Sequence, residues 1–322
     1  MINITDKLKN KIIQIPELPG IYKMLDSKGN IIYVGKSKSL KKRVKTYFSS
    51  NPKWEKVKRM VLLIDDIEYT VTDTHLEAML LECEWIKSIK PIFNSQMKND
   101  KKYAYLKIEN YNVYNSLKVV NYREENSYGP FRRKFFLKEI IDSFKNLYPI
   151  EKVNDSYNFM YHLFPVSMDK NLFEDNKKTL LNLFNDINNM KVFIECLNNK
   201  MKEESYKCNF ESASIYRDMI ENINYLKNGI SRYNEISTKN ILLKIPVEKG
   251  YKLFFISNGY VILKEKHLDE NIENIDINKF IEQGKILLSP FKSNMDEKSY
   301  VDYRDILYSE IMNLSNEMVE IL

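Results

Sequence analysis

Seven residues between positions 20 and 94 can exchange protons, grip oxyanions or hold a cation: Tyr22, Tyr33, Lys36, Arg43, Tyr47, Glu82 and Asn94. Tyr22 and Tyr33 fall in two short β-prone runs, residues 20–25 and 31–35, around Asp26-Ser27-Lys28-Gly29-Asn30, so a hairpin is expected. A four-residue loop over 26–29 sets Tyr22 opposite Tyr33 on one face, whereas a five-residue loop separates them onto opposite faces; the first register is the expectation. Arg43 and Tyr47 are four apart and share one face of the following helix. Gly35 is expected to turn the chain tightly from strand to helix, bringing Lys36 and that face to the tyrosine pair. Glu82 differs from Glu84 in having Ala78, Met79, Trp85 and Ile86 as its three- and four-apart neighbours. A carboxylate bordering an apolar stripe wants a partner, and a hard cation with oxygen ligands would serve. Taken singly, each residue has a plainer use: strand tyrosines pack, and helical arginines and glutamates sit in water. Together and in this order they point to one shared site.

These residues need elements to position them. Ser37 or Ser39 can cap a helix running to about residue 49. Residues 69–72 read as a short strand. Thr74-His75-Leu76-Glu77 has capping-box spacing, and the helix it opens repeats Leu76, Met79, Leu80, Cys83, Ile86 and Ile89 before Pro91 stops it. His75 is expected at the surface. The first hundred residues therefore form one α+β unit, a small mixed sheet with flanking helices. Residues 101–185 give a weak signal, with a helix over 135–146, and are expected to act as a connector. Residues 186–228 read as an αα-hairpin, from Phe193, Leu197 and Met201 and then Ala213, Tyr216, Ile220 and Ile223 at helical spacing. Residues 229–322 are expected as a small C-terminal α+β domain: strands over 241–247, 251–257 and 260–265, a turn at Asn258-Gly259, and an amphipathic helix over 300–322.

The net charge is +6 over 322 residues, but residues 1–60 hold thirteen Lys and two Arg against four acids, a balance of +11 that leaves −5 for the remainder. Lys38, Lys41, Lys42, Lys45, Lys53, Lys56, Lys58 and Arg59 crowd one stretch with the single acid Glu55. Such a patch releases counterions from a phosphate backbone, so nucleic acid is the expected polyanion. Cys83, Cys196 and Cys208 are odd in number and lack CxxC spacing, which suggests neither a disulfide framework nor a zinc site. With no apolar run long enough to span a membrane and no secretory-type N-terminus, a cytoplasmic location is expected.

Gly20-Ile21-Tyr22, Tyr33-Val34-Gly35-Lys36, Arg43, Tyr47, Glu82 and Asn94 form a constellation that resembles the GIY-YIG nucleases. Leu18-Pro19-Gly20-Ile21-Tyr22-Lys23-Met24, Leu40-Lys41-Lys42-Arg43-Val44 and Lys90-Pro91-Ile92-Phe93-Asn94 narrow this to the nuclease module of the UvrC and Cho family. The resemblance implies a metal-dependent endonuclease that makes a single-strand nick in damaged or distorted DNA, on the 3′ side of the lesion. Phosphodiester hydrolysis needs an activated water, a clamp on the phosphate and stabilisation of the leaving oxygen. Glu82 would hold Mg²⁺ or Mn²⁺, and Arg43 would clamp the phosphate with a planar fork. Lys36 would draw down the pKa of a neighbouring tyrosine so that Tyr22 or Tyr33 serves as base, with the choice open. Tyr47 and Asn94 would bond the phosphate or brace the site.

Residues 197–202 and 209–220 resemble the UVR motif of UvrC, which implies a UvrB-like partner; Phe210, Ala213, Tyr216 and Arg217 are the expected contacts. The four-cysteine group of UvrC is missing between the nuclease-like region and this hairpin, so no iron-sulfur cluster is expected. The C-terminal strands hold no carboxylate set for a second, two-metal centre. A mobile-element endonuclease and a non-cutting adaptor remain alternatives; the intact Tyr22, Tyr33, Arg43 and Glu82 argue against the adaptor.

Overall fold

The computed structural model describes residues 5–48, 54–98, 103–114, 116–288 and 297–322. Contacts divide the chain into two units, residues 1–100 with 236–322, and residues 101–235. This grouping differs from the four-part division read along the sequence, because residues 236–322 pack on the first hundred.

In chain order the first unit begins with α1 (Asp6–Gln14), β1 (Gly20–Leu25), β2 (Ile31–Ser37), α2 (Leu40–Tyr47), α3 (Glu55–Leu63), β3 (Asp66–Val71) and α4 (His75–Ile89). The sheet order is β2-β1-β3, and both pairings are antiparallel. Strand alternation sorts its two faces. Tyr22, Met24 and Ile67 join α1, α2 and α3 in one core through Leu8, Val44 and Met60. Ile21 and Val34 point the other way, onto Ile86 of α4. The expected capping box is formed: Thr74 Oγ accepts the Glu77 N–H, and the Glu77 carboxylate accepts the Thr74 N–H at 3.1 Å.

The β1–β2 register differs from the expected one. Tyr22 pairs with Gly35 and Met24 with Tyr33, while Leu25 pairs with Ile31 across a bulge. The cause is the turn. The Asp26 carboxylate accepts the N–H groups of Lys28 and Asn30, closing residues 26–30 as the longer loop. That loop alone would put the tyrosines on opposite faces; the extra residue at the bulge, Ile32, restores them to one face.

The second unit holds β4 (Ala104–Ile108), β5 (Leu117–Val120), β6 (Ser127–Phe131), α5 (Lys134–Lys145), the hairpin β7 (Glu151–Val153) and β8 (Ser156–Asn158), α6 (Lys170–Asn185), α7 (Ile187–Tyr206) and α8 (Phe210–Ser237). One core runs through it, joining Leu106, Leu137 and Phe144 to Phe193, Leu197 and Tyr216. The segment read as a connector thus supplies most of the cover for the α7–α8 hairpin.

The first unit resumes with β9 (Asn240–Val247), β10 (Gly250–Ser257), β11 (Tyr260–His267), α9 (Ile277–Leu288), α10 (Glu297–Asn313) and β12 (Val319–Ile321). The sheet order is β11-β10-β9-β12. Leu243, Phe254 and Ile256 face Leu76, Leu80 and Leu307, whereas Leu242, Leu253 and Phe255 face Phe280 and Ile281. Burial on both faces explains why these strands read as nearly continuous apolar runs. Asn258 and Gly259 both have positive φ, 51° and 76°, as the two-residue turn requires. The expected tail helix stops at Asn313; after the polar Asn-Leu-Ser-Asn stretch the chain turns, and residues 319–321 pair with β9.

Candidate functional site

Tyr22, Tyr33 and Tyr47 converge where β1, β2 and α2 meet. Their ring centroids lie 6.0–6.2 Å apart. Tyr22 Oη and Tyr47 Oη share a hydrogen bond of 2.9 Å, and Tyr47 Oη donates to Tyr33 Oη at 3.3 Å. Gly35 makes room for this cluster. A Cβ there would come 2.4 Å from Tyr22 Oη and 2.9 Å from the Tyr33 ring, so the residue is needed for close approach within β2 and not for the expected turn. Gly20 has the same role, since a Cβ would meet the Thr70 carbonyl oxygen at 2.3 Å.

The tyrosines differ in access. Tyr22 is 0 % exposed and Tyr47 6 %, whereas Tyr33 is half-buried. Burial is the chief cause that raises the hydroxyl pKa values of Tyr22 and Tyr33, with their tyrosine neighbours adding to it and Arg43 opposing it. Arg43 stands at the surface with its guanidinium 5.0 Å from the Tyr47 ring centroid.

Glu82 reaches the same site from α4. Its Oε1 accepts the backbone N–H of Lys36 at 3.1 Å. Burial raises its carboxyl pKa, opposed by that N–H and by the charges of Lys36 and Arg43. A half-buried carboxylate fits one hard divalent ion that keeps most of its waters. A cage is not available: among the described residues no three His, Cys, Asp or Glu side chains gather as a metal cluster.

Lys36 corrects the expectation. Its ammonium lies 3.0 Å from His75 Nε2, and neither tyrosine is lowered by it. His75, expected at the surface, is half-buried; burial first, then Lys36 and Lys38, depress its pKa to about 4. The ring is therefore neutral and accepts from the ammonium. Nothing in the spacing of residues 36 and 75 signals this contact, which depends on how α4 crosses β2. Asn94 takes the bracing role, one of the two expected for it. Its Oδ1 accepts the Val34 N–H at 2.9 Å and its Nδ2 donates to the Val34 carbonyl at 2.8 Å, so both amide groups staple β2.

Of the basic residues, Lys41, Lys42 and Lys45 lie on α2 with Arg43, Lys38 just precedes them, and Lys56, Lys58 and Arg59 lie on α3. Lys58 and Arg59 both pair with Glu55, and Lys42 with Glu17. Lys53 falls outside the described residues. At the α7–α8 hairpin, Phe210 is 67 % exposed and Tyr206 88 %, and with Ala213 and Arg217 they border an open groove. Tyr216 does not belong to that surface: it is buried in the unit's core beside Phe159, because it sits on the opposite side of α8. No helix among the described residues is long and apolar enough to cross a membrane.

Residues 18–95 match the UvrC-like GIY-YIG domain. UvrABC system protein C from Streptococcus agalactiae is 31% identical over 280 residues, 82% of this chain and 46% of that protein. The protein of the same name from Acetivibrio thermocellus is 28% identical over 97% of this chain and 51% of its own length. The chain thus spans about half the length of the curated relatives it matches. A crystal structure of the GIY-YIG N-terminal endonuclease domain of UvrC from Thermotoga maritima, bound to magnesium, is 37% identical; the match covers 29% of this chain and 100% of that one, with a TM-score of 0.27. Motif, domain match and relatives agree: residues 18–95 form a UvrC-like GIY-YIG domain, and the chain is similar over most of its length to UvrABC system protein C.

Proposed function

We propose that this chain nicks one strand of damaged or distorted DNA on the 3′ side of the lesion, using Mg²⁺ or Mn²⁺ held by Glu82. The observation that carries the reading is the convergence of three tyrosine hydroxyls, Arg43 and Glu82 on one spot. Tyr33 is the better candidate for the base, because it alone of the three is open to water; Tyr22 is sealed and Tyr47 links them. Once its own proton has passed to solvent, the Tyr33 phenolate would take the proton of the attacking water, and Tyr47, which donates to it, would hold its oxygen in place. Arg43 would clamp the non-bridging oxygens of the phosphate with its planar fork. Asn94 keeps β2, and so Tyr33 and the Lys36 N–H, in register with α4. Glu82 would hold the divalent ion, whose charge would favour the Tyr33 phenolate and stabilise the leaving 3′-oxygen.

The same reading takes the hairpin as a docking element for a UvrB-like partner, in nucleotide excision repair. Its support is the UVR-like sequence and the exposed apolar tip at Tyr206 and Phe210. Incubating a lesion-bearing duplex with Mg²⁺ and the protein, with and without a UvrB-like partner, tests this. The expected product is a nick carrying a 3′-hydroxyl and a 5′-phosphate, made faster with the partner. No product in either condition leaves a DNA- and partner-binding adaptor.

A further inference from the structure

Helix α4 presents Glu82 toward β2, and its other side is held by residues far along the chain. Along its N-terminal half, Leu76 and Leu80 are buried with Leu243, Phe254 and Leu307. At its N-terminal end the carboxylates of Asp73 and Glu77 meet three lysines from β10 and β11. Lys252 Nζ lies 2.8 Å from Asp73 Oδ2 and 3.3 Å from Glu77 Oε1. Lys264 Nζ lies 3.2 Å from Glu77 Oε1, and Lys266 Nζ 2.8 Å from Asp73 Oδ1. At its C-terminal end Lys87 Nζ lies 2.8 Å from Asp302 Oδ2 of α10. Three separate contacts therefore fix the height, rotation and tilt of the helix that carries the carboxylate. Lys252 and Glu77 are each only 8 % exposed, so the pair at the centre of this lattice is buried, and Lys252 is the lysine that reaches both carboxylates.

We infer that β9, β10, β11 and α10 position the cation-binding carboxylate, and that Lys252 is a positioning residue for Glu82, acting through Glu77 and the first turn of α4. Glu77 both caps the helix and anchors it to β10, so the carboxylate that starts α4 is also the one that sets where α4 lies. A single-carboxylate site has no further protein ligand to correct an error in pose, and metal sites tolerate displacements of only about half an ångström. Partners that orient a metal ligand typically set affinity by about ten- to a hundredfold. The C-terminal sheet thereby gains a purpose that its lack of catalytic-type residues leaves otherwise unassigned.

The inference rests on Glu82 being the metal ligand, and the test separates the two claims. Mn²⁺ binding to the full chain is measured by calorimetry, without substrate, for wild type, Glu82→Gln, Lys252→Met, Lys252→Arg and Lys264→Met, with the folded fraction checked by circular dichroism. Glu82→Gln is expected to remove binding. Lys252→Met is expected to weaken it about tenfold, and Lys252→Arg to restore most of the loss. Lys264 is half exposed and removes one contact to Glu77 without emptying the buried position, so Lys264→Met gives a smaller loss of the same sign should Lys252→Met not fold. Unchanged Mn²⁺ affinity in the folded lysine variants, with Glu82→Gln inactive in binding, overturns the positioning role alone. Unchanged affinity in Glu82→Gln overturns both claims.

Discussion

At the scale of single residues the site depends on what is absent as much as on what is present. Gly35 leaves the space that Tyr22 and Tyr33 fill, so Gly35→Ala forces the tyrosine cluster apart. Overpacking of this kind costs about 1–3 kcal/mol, and urea unfolding of the variant should show a loss in that range together with slower nicking. A variant as stable as wild type would mean that the strand yields at no cost. His75 gives a prediction in pH. Its ordinary pKa is 6.5 and its folded value about 4, so between those values the unfolded chain takes up a proton that the fold refuses. Stability contributed by the neutral ring is complete above 6.5 and is lost as the pH falls toward 4. In His75→Asn the urea midpoint should fall less between pH 7 and pH 4.5 than in wild type. Parallel losses in the two proteins would show that the ring does not resist protonation.

At the scale of elements, α4 and the hairpin tip carry the testable claims. Thr74→Ala removes one half of the capping box that starts α4, and should lower stability by about 1 kcal/mol in thermal unfolding. Phe210→Ala and Ala213→Asp alter the exposed tip of α7–α8, so they should abolish stimulation by a UvrB-like partner and spare nicking of a pre-opened substrate. Equal loss on both substrates would make the tip part of the fold's own core. Elements with strong local signals were legible in the sequence: the Thr74–Glu77 box, the Asn258-Gly259 turn and the apolar strands on either side of it. The bulge at Ile32 was not, because a loop of four or five residues reads the same until the Asp26 side chain chooses between them. Helix α3 was read only as charge, since its charges crowd residues 55–59 and Met60-Val61-Leu62-Leu63 is an unbroken apolar run without helical spacing. The contacts of Lys36 and Asn94 were not legible for another reason. Their partners, His75 and the Val34 backbone, are distant in sequence, and no periodicity reports such contacts.

At the scale of the whole molecule, the basic end and the single carboxylate site define what the chain should do to DNA. Lys41, Lys42 and Lys45 share α2 with Arg43, so replacing the three with Gln should weaken binding to all sequences alike and flatten its salt dependence by about 0.9 logarithmic units per lost phosphate contact. A sequence-selective loss would count against backbone contact. The central claim is one cutting centre built on Glu82, and cleavage of a lesion-bearing duplex labelled at either end of the damaged strand addresses it directly. With Mg²⁺ the wild-type chain and its partner should yield one new band from each label, both marking a 3′-side nick, and Glu82→Gln should lower that rate by about a thousandfold or more. A Glu82→Gln protein that still cuts at a comparable rate, on either side of the lesion, would contradict the account.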